Sequence, residues 1–187
     1  MFSAALSDRL LFFRKFLASP RKTGSVTPSS RYLTGKIFKG ADWSKIRCIA
    51  ELGAGTGVFT DYIERHRQSG CKAVIFEQDN RMRDSLMLRY PDMNFAAEAE
   101  LLPWVLSSLG TGSADLIISG LPFSTLPRSL TLRILGCVRE SLAEGGRFVA
   151  FQYSPALLPL FRRFFPEVKV SLELRNLPPA LIFDCSL

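Results

Sequence analysis

Histidine and cysteine, the residues that most often bind zinc, are both scarce in this sequence. Its 187 residues include one histidine, His66, and four cysteines that lie far apart and form no C-x-x-C pair. Zinc sites need such ligands at close, regular spacing, and disulfide scaffolds need more cysteines in a shorter chain. We therefore expect no bound metal, and four free thiols in a reducing compartment.

Long apolar runs are missing as well. No stretch reaches the roughly 18 apolar residues that a membrane-spanning helix requires. The N-terminus does not match a secretory signal, because Asp8, Arg9 and Arg14 interrupt the apolar core that such a signal needs. These absences predict a cytoplasmic protein and leave peripheral association with the inner face of the cell membrane open.

Acidic residues are nearly absent from the first forty residues, which contain eight bases and one acid, Asp8. The net charge of the whole chain is +7, so this segment carries the entire excess. We accordingly divide the chain into a basic arm, residues 1–40, and a neutral domain, residues 41–187.

Two helices are predicted in the arm. Apolar residues recur at helical spacing over residues 2–18, which indicates an amphipathic helix that ends before Pro20. A polar linker with Pro and Gly follows over residues 19–30. Ser29 or Ser30 is then a suitable cap for a short helix that reaches about Lys39.

Strand and helix signals alternate through the neutral domain. Strand-like runs lie at 46–51, 73–77, 93–97, 114–119 and 146–152, and helical stretches at 57–68, 80–89, 100–108, 126–143 and 155–164. This alternation predicts an α/β fold with a mostly parallel, doubly wound sheet. Two last apolar runs, 167–175 and 180–185, predict closing strands joined by a tight turn. A seven-stranded sheet with an antiparallel C-terminal strand is typical of class I, Rossmann-like methyltransferases.

The sharpest local pattern is E-L-G-A-G-T-G, where the first strand gives way to a helix. Its glycines allow a tight turn and a close approach to a ligand. The spacing is G-x-G-x-G, not the dinucleotide G-x-G-x-x-G, and the acid ahead of it suits a ligand with a cationic amino-acid end. The pattern thus favours S-adenosylmethionine over NAD, with contacts expected from Glu51, Gly53, Ala54, Gly55, Thr56 and Gly57.

Acids also end the next two strands. Glu77, followed by Gln78, ends the second strand, where an acid takes up ribose hydroxyls. Glu98, followed by Ala99, ends the third strand, where it can accept from the adenine amino group. Strand ends of a parallel sheet share one edge, so these residues are predicted to complete the cofactor site.

The loop after the fourth strand is predicted to face the methyl group. It reads Ser119, Gly120, Leu121, Pro122, Phe123, and Ser119 is assigned to both the cofactor site and the methyl-transfer site. The loop resembles the N-L-P-Y loop of ribosomal RNA adenine dimethylases, with Gly120 in place of the Asn and Phe123 in place of the Tyr. The missing Asn removes the acceptor that would hold an adenine amino group, which argues against a base as substrate.

Four segments together resemble the small bacterial phospholipid N-methyltransferases. They are S-P-R-K-T-G-S-V-T-P-S-S from Ser19 to Ser30, the glycine loop from Glu51 to Thr60, S-G-L-P from Ser119 to Pro122, and R-N-L-P-P-A from Arg175 to Ala180. The resemblance covers nearly the full length of the chain. It implies methyl transfer from S-adenosylmethionine to the amine of phosphatidylethanolamine, with S-adenosylhomocysteine as the product.

The resemblance also implies roles for residues outside the glycine loop. The N-terminal helix is similar to a membrane anchor that prefers anionic lipid, and the segment around Ser29 and Ser30 is similar to a lid over the cofactor.

Two tyrosines and three basic residues are candidates for holding the lipid head group. Tyr32 and Tyr153 are suited to orient it, although either tyrosine can instead simply pack. Arg21, Lys22 and Arg175 are suited to hold its phosphate. Gly120, Leu121, Pro122 and Phe123 are expected to contact the acceptor.

Three functions fit these residues. The first is a phospholipid N-methyltransferase at an anionic membrane surface. The second is a nucleic-acid methyltransferase, similar to ribosomal RNA adenine N6-methyltransferases, that uses the basic arm on phosphates. The third is a methyltransferase of a soluble small molecule, or a cofactor-binding protein without such activity.

Overall fold

A computed structural model describes residues 28–176 and 178–187 of the chain. The amphipathic helix predicted over residues 2–18 lies outside the described residues, as do Arg21 and Lys22. The elements, in order, are α1 (Pro28–Ile37), β1 (Cys48–Leu52), α2 (Val58–His66), β2 (Lys72–Phe76), α3 (Asn80–Arg89), β3 (Asn94–Ala96), a 3-10 helix (Ala99–Leu101), α4 (Leu102–Ser108), β4 (Ala114–Ser119), α5 (Arg128–Ser141), β5 (Leu142–Gln152), a second 3-10 helix (Pro155–Leu157), α6 (Leu158–Phe164), β6 (Glu167–Glu173) and β7 (Ala180–Ser186).

The strands form one seven-stranded sheet in the order β3-β2-β1-β4-β5-β7-β6. The first five strands are parallel, and β7 lies antiparallel between β5 and β6. The fold class predicted from the sequence is therefore confirmed, including the antiparallel C-terminal strand. The chain leaves β1 toward β2 on one side and returns at β4 on the other, which opens a crevice at the carboxyl ends of these strands.

The fifth strand differs from the prediction. It begins at Leu142, within the segment predicted as helix, and the helix before it ends at Ser141. Pairing with β4 shifts register between Ala114 and Leu116, so the strand contains an irregularity around Gly145 and Gly146. Gly145 has φ of +71°, a conformation that favours glycine. A pair of glycines predicts a break in secondary structure, whereas here it marks a bulge within a strand.

Apolar side chains pack on both faces of the sheet. Helices α4, α5 and α6 cover one face, where Phe148, Phe161 and Phe183 are fully buried. Helix α1 and the loop after it contribute to the other face, where Leu33, Ile37 and Phe38 are buried.

Helix α1 is held against the sheet by both its apolar side and a polar contact. The Arg147 guanidinium pairs with both carboxylate oxygens of Asp184 on β7, and its Nη2 donates to the Lys39 carbonyl at 3.2 Å. A domain boundary at residue 40 stays a prediction, and the final turns of the predicted arm already pack on the sheet.

Candidate active site

The glycine loop forms a tight turn between β1 and α2. Gly53, Gly55 and Gly57 all have positive φ, between 56° and 84°. A Cβ on Gly53 would lie 2.8 Å from Leu121 Cδ2, and one on Gly57 would lie 2.4 Å from Leu86 Cδ2. The loop is thus packed so closely that side chains are excluded at both positions, and its N–H groups remain near the crevice.

The carboxylate of Glu77 is fixed against this loop. Its Oε2 accepts from the Gly55 N–H at 2.7 Å and its Oε1 accepts from the Asp79 N–H at 2.9 Å. Each carboxylate oxygen can accept a second hydrogen bond. Glu77 also lines the cavity, so its remaining lone pairs are available to a diol there.

Glu51 lies beneath the glycine loop and is fully buried. The Thr60 hydroxyl donates to its Oε2 at 2.6 Å, while its Oε1 has no partner among the described residues. Burial raises the pKa of this carboxyl to about 8, and the bond from Thr60 offsets part of that rise. Glu51 Oε1 is therefore a buried acceptor without a hydrogen-bond donor among the described residues. Glu51 does not line the cavity.

A cavity of about 630 Å³ opens at the carboxyl ends of the strands. Of the residues predicted from the sequence, it is lined by Gly53, Gly55, Thr56, Glu77, Gln78, Glu98, Ala99, Gly120, Leu121 and Pro122. Three successive strand ends therefore converge on one space, as the parallel sheet requires.

Several residues of the cavity wall carried no distinct signal in the sequence. They are Asp79, Asn80, Arg81, Met82 and Glu100, together with Leu126, Leu130 and Ile134 on or just before α5. The last three recur at a spacing of four, which indicates one helix face but does not distinguish a cavity wall from the core.

The loop after β4 borders the cavity and is held from below. Ser119 is fully buried, and its Oγ accepts from the Leu121 N–H at 3.2 Å. Gln152 Nε2 donates to the Leu121 carbonyl at 2.9 Å. Phe123 is buried and packs edge-on against Phe161. Ser119, Gln152 and Phe123 thus support the loop, whereas Gly120, Leu121 and Pro122 face the cavity.

Gly120 is confined by the glycine loop beside it. A Cβ at this position would lie 3.0 Å from the Gly53 carbonyl oxygen. That spacing is tighter than ordinary van der Waals contact, so any side chain at this position requires a small shift of the neighbouring backbone.

The structure brings Tyr32 and Arg175 into contact beside the last two strands of the sheet, and Tyr153 lies near Asn176, the residue after Arg175. The Arg175 guanidinium lies over the Tyr32 ring, 4.1 Å from its centroid. It also pairs with both carboxylate oxygens of Glu173, at 2.9 and 3.0 Å, which lowers the pKa of that carboxyl to about 2. Desolvation by burial raises the pKa of the Tyr153 hydroxyl to about 12, and the nearby Asn176 side chain offsets part of that rise.

Other predicted residues occupy different places. Ala54 and Gly57 belong to the glycine loop but not to the cavity wall, and neither Tyr32, Tyr153 nor Arg175 lines the cavity. Ser29 and Ser30 are in the first turn of α1, but their side chains lie outside the described part of the chain. The lid and the phosphate site stay predictions.

The described residues also bear on metals and membranes. Over residues 28–176 and 178–187, no three His, Cys, Asp or Glu side chains are grouped to hold a metal ion. No helix in that part of the chain has both the length and the apolar character needed to cross a membrane.

The residues at the crevice fit S-adenosylmethionine. Glu51 has a buried carboxyl oxygen without a partner among the described residues, and Glu77 presents a fixed carboxylate to the part of the cavity where the ribose is expected. Glu98, Ala97 and Ala99 line the part of the cavity beyond β3, where adenine is expected. The glycine loop leaves no room for competing side chains between them.

Comparison with known proteins agrees with this arrangement. No protein-family model matches the chain. The ornithine lipid N-methyltransferase of Singulisphaera acidiphila is 33% identical over 185 residues, which is 96% of each chain.

Two solved structures share the fold at low sequence identity. The N-methyltransferase NodS of Bradyrhizobium japonicum, in complex with S-adenosylhomocysteine, has a TM-score of 0.68 at 14% identity and covers 94% of this chain and 96% of its own. An rRNA methylase of Streptococcus thermophilus has a TM-score of 0.56 at 16% identity, covering 85% of this chain and 94% of its own. Since the fold is shared by enzymes with different acceptors, it does not identify the acceptor. The full-length relative does identify the family: the chain belongs to the S-adenosylmethionine-dependent methyltransferase family that includes ornithine lipid N-methyltransferase.

Proposed function

We propose that this enzyme methylates the amine head group of a membrane lipid at an anionic membrane surface, with phosphatidylethanolamine as the acceptor. The observation that carries the proposal is the relative named for a lipid substrate, which matches along 96% of both chains. The ornithine lipid in that relative's name is the second candidate acceptor. The excess positive charge of the arm supports an anionic surface, since each base near such a surface contributes about 1 kcal/mol.

Methyl transfer depends mainly on the alignment of the acceptor nitrogen with the methyl group of the cofactor. The bound cofactor supplies an electrophilic methyl group; the nitrogen–carbon bond forms as the carbon–sulfur bond breaks. Gly120, Leu121 and Pro122 form the wall at which the acceptor nitrogen would be held in line. The apolar side chains of Leu121, Leu126 and Leu130 exclude water from that side of the cavity.

The acceptor amine must be neutral to attack, and neither His66 nor Tyr153 is suited to take its proton. His66 stacks on Tyr62 with ring centroids 3.9 Å apart and packs beside Trp43, so it is held in an aromatic cluster and not in the cavity wall. The Tyr153 hydroxyl, with its pKa raised to about 12, stays protonated at neutral pH. Tyr153 is therefore proposed to orient the head group and not to act as a base.

Arg175 is proposed to hold the anionic group of the lipid. Glu173 and Tyr32 occupy one edge and one face of its guanidinium, and its side chain remains 62% exposed. A guanidinium has five N–H donors, so those not used by Glu173 can bind a phosphate as charge-assisted donors. Arg21 and Lys22 are proposed to contribute to the same phosphate.

The proposal is tested with labelled S-adenosylmethionine and vesicles of phosphatidylglycerol. One set of vesicles contains phosphatidylethanolamine, a second contains ornithine lipid, and a third contains neither. Label is expected in the lipid fraction of the first set, and label in the second set alone would move the assignment to ornithine lipid. Glu77→Gln serves as the control that removes a cofactor contact.

Two results would overturn the proposal. One is label in RNA with no label in any lipid, which would indicate the nucleic-acid alternative, together with RNA binding that falls steeply with salt. The other is turnover on soluble amines alone, which would indicate a small-molecule methyltransferase.

A further inference from the structure

The edge strand β6 presents a row of large apolar side chains to solvent. Val170, Leu172 and Leu174 alternate along it and past its end, with exposed fractions of 42%, 48% and 71%. Edge strands of soluble proteins normally carry charges that prevent association, and contiguous exposed apolar side chains mark a surface that contacts something else. We therefore expect the row of Val170, Leu172 and Leu174 to contact a binding partner.

The row lies at the same end of the sheet as the cofactor crevice. Leu172 pairs with Leu181 on β7, and Leu181 pairs with Gln152 at the carboxyl end of β5. Gln152 Nε2 donates to the carbonyl of Leu121, which lines the cavity. Since directly paired residues of antiparallel strands share a face, Leu172, Leu181 and Gln152 lie side by side on one face of the sheet, and Gln152 in turn supports the loop that borders the cavity.

Basic side chains border the row. Arg175 follows Leu174 directly and is exposed, with its guanidinium turned to the other face of the sheet, where Glu173 and Tyr32 lie. Arg162 and Arg163 are exposed in the last turn of α6, and their neighbour Phe161 packs on Phe183, the partner of Val170 across the sheet. The adjacent acid, Glu173, is already paired with Arg175. An apolar strip with a cationic border complements an anionic lipid surface, whose acyl region takes up the leucines while its head groups meet the arginines.

We propose that Val170, Leu172 and Leu174 insert into the interfacial region of an anionic bilayer, as a second attachment point besides the basic arm. Docking by this row turns the carboxyl ends of the strands toward the membrane. A lipid amine then reaches Leu121 and Pro122 with little displacement of its acyl chains. The inference rests on the proposed function for its substrate, but it concerns binding and not chemistry.

The test compares full-length wild type with the double variant Leu172→Glu, Leu174→Glu in sedimentation with phosphatidylglycerol–phosphatidylcholine vesicles. Neither lipid offers a primary amine, so the readout does not depend on turnover. The double variant is expected to lose about tenfold or more in vesicle affinity, because two leucines no longer leave water. A matched control, Met87→Glu with Leu88→Glu, makes the same charge change at two exposed apolar residues of α3, on the opposite side of the sheet. The control is expected to lose clearly less vesicle affinity than the double variant, because its added charges lie away from the proposed contact and salt screens their repulsion by the lipid.

Binding of S-adenosylhomocysteine by each variant verifies that it is folded. Equal vesicle affinity of the double variant and its control would overturn the proposal. So would a wild-type dimer, seen by sedimentation equilibrium, that the double variant converts to a monomer, because the row would then be an interface between two copies. If the row proves necessary for vesicle binding but no lipid becomes labelled in the assay above, the proposed function fails and the docking surface stands.

Discussion

The guanidinium of Arg175 lies 4.1 Å above the ring of Tyr32 and links the first described helix to the C-terminal hairpin. Both residues were identified from the sequence as head-group contacts, from segments at opposite ends of the chain. The same guanidinium is bidentate to Glu173, so its orientation is determined by two groups, the Tyr32 ring and the Glu173 carboxylate. A cation fixed in this way loses little rotamer freedom when an anion binds, which favours recognition.

Arg175→Lys is expected to raise the KM for the lipid acceptor by about tenfold, because an ammonium cannot be bidentate and does not stack as a guanidinium does. We expect kcat and the affinity for S-adenosylhomocysteine to stay within about twofold, since Arg175 is outside the cavity wall. Steady-state kinetics on mixed vesicles measures KM and kcat separately. An unchanged KM would mean that Arg175 only stabilises the turn.

Glu77→Gln is expected to weaken binding of S-adenosylhomocysteine by roughly ten- to a hundredfold, the loss of about 1.5–3 kcal/mol typical of hydrogen bonds to a charged group. The amide also replaces an acceptor that holds Gly55 N–H and Asp79 N–H. Calorimetric titration measures the change. The control Glu144→Gln, exposed near the start of β5, should bind as wild type does.

Glu51 is expected to make the stability of the cofactor-free protein depend on pH. Burial raises its pKa from the usual 4.5 to about 8 in the folded chain, so the folded state holds more protons than the unfolded state between these pH values. The free energy of unfolding then falls as pH rises from about 4.5 to 8 and levels off above that. Urea unfolding at several pH values measures this slope, and Glu51→Gln should reduce it. A slope that survives the substitution would assign it to another group.

Gly53→Ala is expected to destabilise the chain and to weaken cofactor binding together. It adds the strain of positive φ, about 1–2 kcal/mol, and a Cβ 2.8 Å from Leu121 Cδ2 that shifts the acceptor wall. Gly110→Ala is the matched control, because Gly110 has φ of +70° but no atom within 4 Å of the added Cβ. Thermal unfolding should show a lower stability for both variants, because both glycines have positive φ. Cofactor titration should show a lower affinity for the Gly53 variant only. Equal losses of stability and of cofactor affinity at the two positions would contradict the predicted clash between the added Cβ on Gly53 and Leu121.

Local patterns determined much of this protein. Alternating strand and helix signals predict the order of elements, and the run from Glu51 to Gly57 locates the turn that borders the cavity. Acids at the ends of consecutive strands, such as Glu77 and Glu98, could be assigned to the site because parallel strands end at one edge. These features depend on residues close together in the chain, so periodicity and spacing are enough to recognise them.

Only the tertiary structure decided the relationships between distant segments. The stacking of Tyr32 on Arg175, the bond from Gln152 to Leu121 and the wall formed by Leu126, Leu130 and Ile134 all depend on which elements pack together. Burial likewise placed Glu51 beneath the glycine loop and raised its pKa, which no local pattern specifies. Even the extent of β5 depended on its partner, because hydrogen bonds to β4 extend the strand across two glycines. Sheet pairing and desolvation are properties of the folded chain as a whole, which is why the sequence placed the cofactor site but left its surroundings to the fold.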